Sequence, residues 1–171
     1  MTPEQASFLL NEVLLPQVLS EHETTCRVVA AVPADKGNYK PSDKCMDAWT
    51  LSQHIVGSHL FFLEGIINGA FAPPAPFPES IKTPADLLAW DAEAFPKALD
   101  KVKAMSPEAL AANVSFFGVI NAPAVTFLNF MNVHAIHHRG QLSAYLRPMG
   151  AKVPKIYGGS ADEPFQMPAN A

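Results

Sequence analysis

Apolar positions recur along this chain at helical spacing, in four long stretches divided by proline- and glycine-rich breaks. Thr2-Pro3-Glu4-Gln5 opens the first: Thr2 as N-cap, Pro3 at the first helical position and Gln5 placed to close a capping box. This helix is expected to run to about Ala31, before Pro33, with Pro16 kinking it. Residues 33–46 read as a loop. Asp47 caps a second helix, with Thr50 as the competing cap, and this helix continues to about Ala70. The stretch from Ala72 to Pro78 holds four prolines and must be extended. Thr83-Pro84-Ala85-Asp86 starts a third helix, to about Met105, with Pro96 as a second kink. Ser106-Pro107-Glu108 starts a short turn, Val114 to Gly118 is irregular, and Pro123 opens a fourth long helix that Pro148 and Gly150 end. With no repeat and no useful strand alternation, the pattern predicts an all-α four-helix bundle. It forms one domain over residues 1–171, with long crossover connections.

The last helix carries the most informative chemistry, His134-Ala-Ile-His137-His138-Arg139-Gly140-Gln141. With His134 at zero and about 100° per residue, Phe127, Met131, His138, Gln141, Leu142 and Tyr145 share its face. His137 falls on the rim, at about −60°. Asn129, Asn132, Arg139, Ser143 and Arg147 fall on the far side. A single buried histidine is ordinarily hydrogen-bonded in a core, but two stacked on an apolar face are costly without partners and point to a metal. On the second helix His54 shares a face with Leu51, Ser58, Phe61, Phe62 and Gly65, and Ser58 and Gly65 are small enough to admit a neighbouring helix or ligand. His59 lies about 140° away and should not join it. Bundle axes about 8–10 Å apart let His54, His134 and His138 reach one ion.

Three imidazoles suit Zn, Ni, Fe or Cu rather than Mg or Ca, and leave positions open for a substrate. Protease chemistry is disfavoured. Ala135 stands where an HExxH helix needs Glu, and His137 stands where the inverted motif needs it. An open site of this kind can activate a water or hold and polarise a substrate thiolate.

Composition narrows the partners. Only 16% of the 171 residues are charged, the formal net charge is −4, and there is no basic face, which argues against a nucleic-acid surface. No secretory signal pattern opens the chain, so a cytoplasmic location is expected. Cys26 and Cys45 are expected to be reduced, Cys26 acting as a small hydrophobe on its helix. Residues 113–133 carry no charge, but Gly118, Pro123 and four asparagines make them a buried bundle segment rather than a membrane span.

The segment HAIHHRGQLSAYLRPMGAKVPKIYGGSADE resembles the C-terminal signature of the DinB/YfiT-like superfamily of metal-dependent enzymes. WTLSQHIVGSHLFFLEGIINGAF resembles that family's second helix, and ETTCRVVAAVPADKGNYKP is compatible with its first. The resemblance implies a four-helix bundle, often dimeric. It also implies a divalent metal, Zn or Ni first and Fe as a further option, on His54, His134 and His138. Relatives of known activity include bacillithiol and mycothiol S-transferases and a mycothiol-dependent maleylpyruvate isomerase.

The expected function is therefore a metal-dependent enzyme acting on a small molecule, with a low-molecular-weight-thiol S-transferase ahead of a metal-dependent hydrolase. The alternatives are a non-catalytic metal-binding or stress-response protein acting through a dimer surface, and a metal-free bundle with hydrogen-bonded histidines. The expected partners are a small molecule and a second copy of the chain, with neither nucleic acid nor membrane. Arg139 is expected in a surface or interhelical ion pair, Gly140 at a close helix contact and Gln141 against a ligand imidazole. No role is assigned to His137. Tyr157, Ser160, Asp162 and Glu163 would cover the site or cap a tail.

Overall fold

The computed structural model describes residues 1–166. The first long helix is composite: α1 (Pro3–Phe8), a π-helical segment (Leu9–Leu14) and α2 (Leu15–Ala30). The Thr2 capping box is formed as expected. Pro16 acts by widening the turn ahead of it. It has no N–H to donate and its ring crowds the preceding turn, and the backbone there shifts to i→i+5 bonds such as Leu15 N–H to the Leu10 carbonyl.

After a single 3₁₀ turn (Ala34–Lys36), α3 spans Ala48–Asn68, capped by the Asp47 carboxylate on the Thr50 N–H and ended by Gly69 at φ 63°. The extended Pro-rich crossover leads to α4 (Pro84–Lys103), which runs on through Pro96. α5 (Pro107–Ala111) is short. It is followed by a hairpin of β1 (Asn113–Phe116) and β2 (Ile120–Pro123), paired antiparallel with Phe116 opposite Ile120. This hairpin corrects the irregular reading of Val114–Gly118. Its turn needs positive φ at Phe117 (49°) and Gly118 (75°), and four-residue strands are too short to show alternation. Pro123 accordingly closes β2, and α6 starts at Thr126 and ends at Leu146.

Among the long helices α2 packs on α4 and α6, and α3 packs on α4 and α6, while α1 packs on the short α5. The four long helices thus form a ring ordered α2, α6, α3, α4. The α2-to-α3 and α4-to-α6 connections cross the diagonals, as a crossover-linked bundle requires.

Two apolar clusters fill the bundle. One holds Leu10, Leu14, Val18, Phe62, Leu63, Phe95, Leu99, Phe127 and Met131; the other holds Val28, Val29, Leu51, Ile55, Leu87, Leu142, Tyr145 and Leu146. Between them every long helix contributes polar groups: His22, Thr25 and Cys26 from α2, Ser58 and His59 from α3, Asp91 from α4, Asn132 and Arg139 from α6. The bundle has a polar waist. Among the described residues no helix is long and apolar enough to cross a membrane.

Candidate metal centre

α3 and α6 pack side by side, and at their seam His54 Nε2 lies 3.1 Å from His134 Nε2 and 3.2 Å from His138 Nε2. The three sequence-predicted residues are brought together. Their environment differs from the apolar face expected: His54 is exposed and the other two are half-buried, so the group sits at a surface seam. The buried residues of α6 include Phe127, Leu128, Met131, Ala135, Leu142, Tyr145 and Leu146, with Asn132 and Arg139 as buried polar groups.

Hydrogen bonding orients the His138 ring. His138 Nδ1–H donates to Gln141 Oε1 at 2.8 Å, which leaves the Nε2 lone pair of a neutral ring facing the other two. The Gln141 amide donates in turn to His137 Nε2 at 3.3 Å, and His137 stays exposed on the rim. His134 is pushed down to about 4 by burial and by the neighbouring His138, His54 and His137, and His54 is lowered by burial and by His138. Both are neutral at pH 7 and can offer lone pairs. Bonds of about 2.0–2.1 Å at tetrahedral angles place ligand nitrogens about 3.3 Å apart, close to the separations found. The donor set fits a transition metal, with no carboxylate in it to favour Mg or Ca.

His54 and His134 form one wall of a cavity of about 630 Å³. Its lining is largely aromatic, with Phe61, Phe62, Phe77, Trp90, Phe116 and Phe130, and Thr50, Gln53, Ser58 and Glu64 supply the polar groups. The Pro-rich crossover contributes Pro74 to Phe77, so this stiff segment walls the cavity. Gly57 leaves room for the Phe77 wall, whose ring a Cβ there would meet at 3.0 Å; Gly65 lies outside the lining, and a Cβ there would collide with Phe71. Gly65 therefore admits an aromatic ring rather than a helix. Gly140, expected at a close helix contact, faces open space.

Arg139 corrects the far-side reading of α6. It is buried, and Nη1 lies 2.7 Å from Glu21 Oε2 while donating to the Glu21 carbonyl and Thr25 Oγ1. Its Nη2 donates to the Tyr157 hydroxyl, which donates to Glu21 Oε2. The expected ion pair is interhelical, because α2 is the second helix packed on α6. Asp162 accepts from Arg147 and the Val153 N–H, and Ser160 donates to the Val153 carbonyl. The C-terminal segment fastens itself to α2 and α6, and none of Tyr157 to Glu163 lines the cavity.

One group of residues was missed. His22 Nε2 lies 2.6 Å from Asp91 Oδ2, and Cys26 Sγ lies 3.7 Å from each of those atoms, at the α2–α4 seam. His59, turned away from His54 as its helical angle requires, stands beside it, its ring centroid 5.3 Å from that of His22. Cys26 is thus more than a small hydrophobe. The i, i+4 spacing of His22 and Cys26 was the available signal. Both cysteines are free thiols.

A crossover-linked four-helix bundle with three imidazoles converging at the α3–α6 seam defines the class. Residues 7–166 match the pattern of the DinB family, and the chain belongs to that family. Among Bacillus subtilis proteins it is 32% identical to YrdA over 122 residues, covering 67% of this chain and 70% of that protein. It is 25% identical to YjoA over 139 residues, covering 80% of this chain and 89% of that protein. Crystal structures give the same grouping. The DinB-like YjoA superimposes with a TM-score of 0.69 at 25% identity, over 84% of this chain and 96% of that one. A DinB-like protein from Bacillus cereus also gives 0.69 at 27% identity, over 86% and 97%.

Proposed function

We propose that the chain is a metal-dependent enzyme whose divalent transition metal, Zn or Ni first and Fe as a further option, is held by His54, His134 and His138. The convergence of three Nε2 atoms, with His54 and His134 on the wall of a largely apolar cavity, carries the reading. A divalent ion there supplies positive charge that favours the thiolate form of a sulfur donor. The cavity walls would bury the apolar body of a second substrate, with Thr50, Gln53, Ser58 and Glu64 to orient its polar end. This favours transfer of a low-molecular-weight thiol to an apolar electrophile over hydrolysis. The ring-lined walls match the apolar body of such an electrophile.

The test is elemental analysis of the untagged protein, followed by a screen of the metal-loaded form against cellular thiols and aromatic or alkyl electrophiles. His54→Ala, His134→Ala and His138→Ala should each lose one equivalent of metal and all thiol transfer while keeping their helical circular dichroism. Metal content unchanged in all three would overturn the reading.

A non-catalytic protein acting through a dimer surface is favoured by a separate observation. Phe8, Val13 and Leu19 are 64%, 36% and 50% exposed along the first composite helix. A metal-loaded protein that dimerises but accelerates no thiol transfer or hydrolysis would support it.

A further inference from the structure

We propose that His22, Cys26 and Asp91 form a second, thiolate-containing metal site that takes a zinc-like divalent ion at the α2–α4 seam. This seam lies across the ring from the one holding the three histidines, at the same polar waist.

The donor separations come first. Tetrahedral zinc with a sulfur ligand at about 2.3 Å and nitrogen or oxygen ligands near 2.0–2.2 Å places the sulfur about 3.6 Å from the lighter donors. Cys26 Sγ is 3.7 Å from both His22 Nε2 and Asp91 Oδ2. Only the His22 to Asp91 contact, at 2.6 Å, must lengthen, by about 0.8 Å on the same geometry.

The second observation is what the cluster lacks. Asp91 is 1% exposed, yet its Oδ1 has no hydrogen-bond partner; neighbouring His59 is 3% exposed, and its Nδ1 has none. Buried polar atoms of this kind are seldom left unpaired, and here two fall in one place. An ion at the cluster would offer positive charge to the buried carboxylate.

Charge agrees with the geometry. A thiolate and a carboxylate carry two negative charges with a neutral imidazole, which a divalent cation cancels inside a half-buried site. Without a cation the Cys26 thiol is pushed up to about 12 by burial and by Asp91, so Cys26 rests as the thiol. Binding replaces the thiol proton with the metal and releases it to solvent. The His22 ring is already held in place, stacked on Phe95 with centroids 3.7 Å apart and planes 3° from parallel.

The experiment isolates this site from the first. The untagged triple variant His54→Ala/His134→Ala/His138→Ala is stripped with a chelator and titrated with Co²⁺, then with Zn²⁺. It should bind one Co²⁺ per chain with a thiolate-to-cobalt charge-transfer band in the near ultraviolet, and Zn²⁺ should raise its melting temperature. Adding Cys26→Ser, a near-isosteric change, should abolish the band, whereas Cys45→Ser should leave it. A folded triple variant that binds no Co²⁺, or binds it without a thiolate band, overturns the proposal, as does a band that survives Cys26→Ser. The three-histidine reading is judged separately, by the equivalent of metal lost in the single alanine variants.

Discussion

Gln141 shows how much one uncharged side chain can decide. Its carbonyl fixes the proton on His138 Nδ1 and its amide ties the assembly to His137, so the orientation of His138 Nε2 depends on it. Groups that orient a ligand imidazole in this way are typically worth about 10–100-fold in metal affinity. Gln141→Leu should therefore weaken zinc binding by about that factor with little change in fold, as measured by competition with a chromophoric chelator. An unchanged dissociation constant would refute this role. Arg139 carries stability instead. Removing one partner of a buried ion pair costs about 3–5 kcal/mol, and because Glu21 keeps 18% side-chain exposure, Arg139→Ala should cost somewhat less, about 2–3 kcal/mol. Urea unfolding of the two proteins measures it.

At the scale of elements, local sequence carried most of the helix starts. Thr2, Asp47, Thr83 and Ser106 all accept from the N–H three residues on, as residues of these types before a helical run predict. Thr83→Ala should cost about 1 kcal/mol by loss of the α4 cap. The box is also pH-sensitive. Hydrogen bonds from the Thr83 side chain and from the Lys82 and Thr83 N–H groups hold the Asp86 carboxyl below its ordinary value of 3.8. A folded-state value below the unfolded one means that the stabilisation is present above the unfolded value and lost as pH falls through the folded one. Asp86→Asn should then lower the melting temperature at pH 7, and its gap from the parent should close in strong acid. A gap that persists there would argue against the charge. The elements read least well were those set by non-local pairing. The β1–β2 hairpin lacked a long alternating run, and the π segment arises from how Pro16 is accommodated.

Across the whole molecule, two apolar clusters stacked along the bundle leave a polar waist between them, and both three-donor groups lie in it on opposite seams. The exposed Phe8, Val13 and Leu19 lie outside either cluster. If they meet a second copy, Phe8→Glu with Leu19→Glu should convert a dimer into a monomer in sedimentation velocity without loss of metal; a dimer that persists would place the contact elsewhere. The sequence by itself determined the four long helices, most of their caps and the stacking of His134 with His138, because capping and i, i+4 geometry are local properties of the chain, whereas His54 meets that pair only through the packing of α3 on α6. Tertiary structure decided the rest. Each helix meets two neighbours and so has two buried faces, which a single apolar stripe cannot describe. Arg139 was therefore placed outside although α2 buries it, and His134 and His138 were placed inside although they are only half-buried at the seam, where His134 opens onto the cavity. His22, Cys26 and Asp91 meet only because α2 and α4 are adjacent around the ring, an adjacency set by two diagonal crossovers that no local pattern encodes.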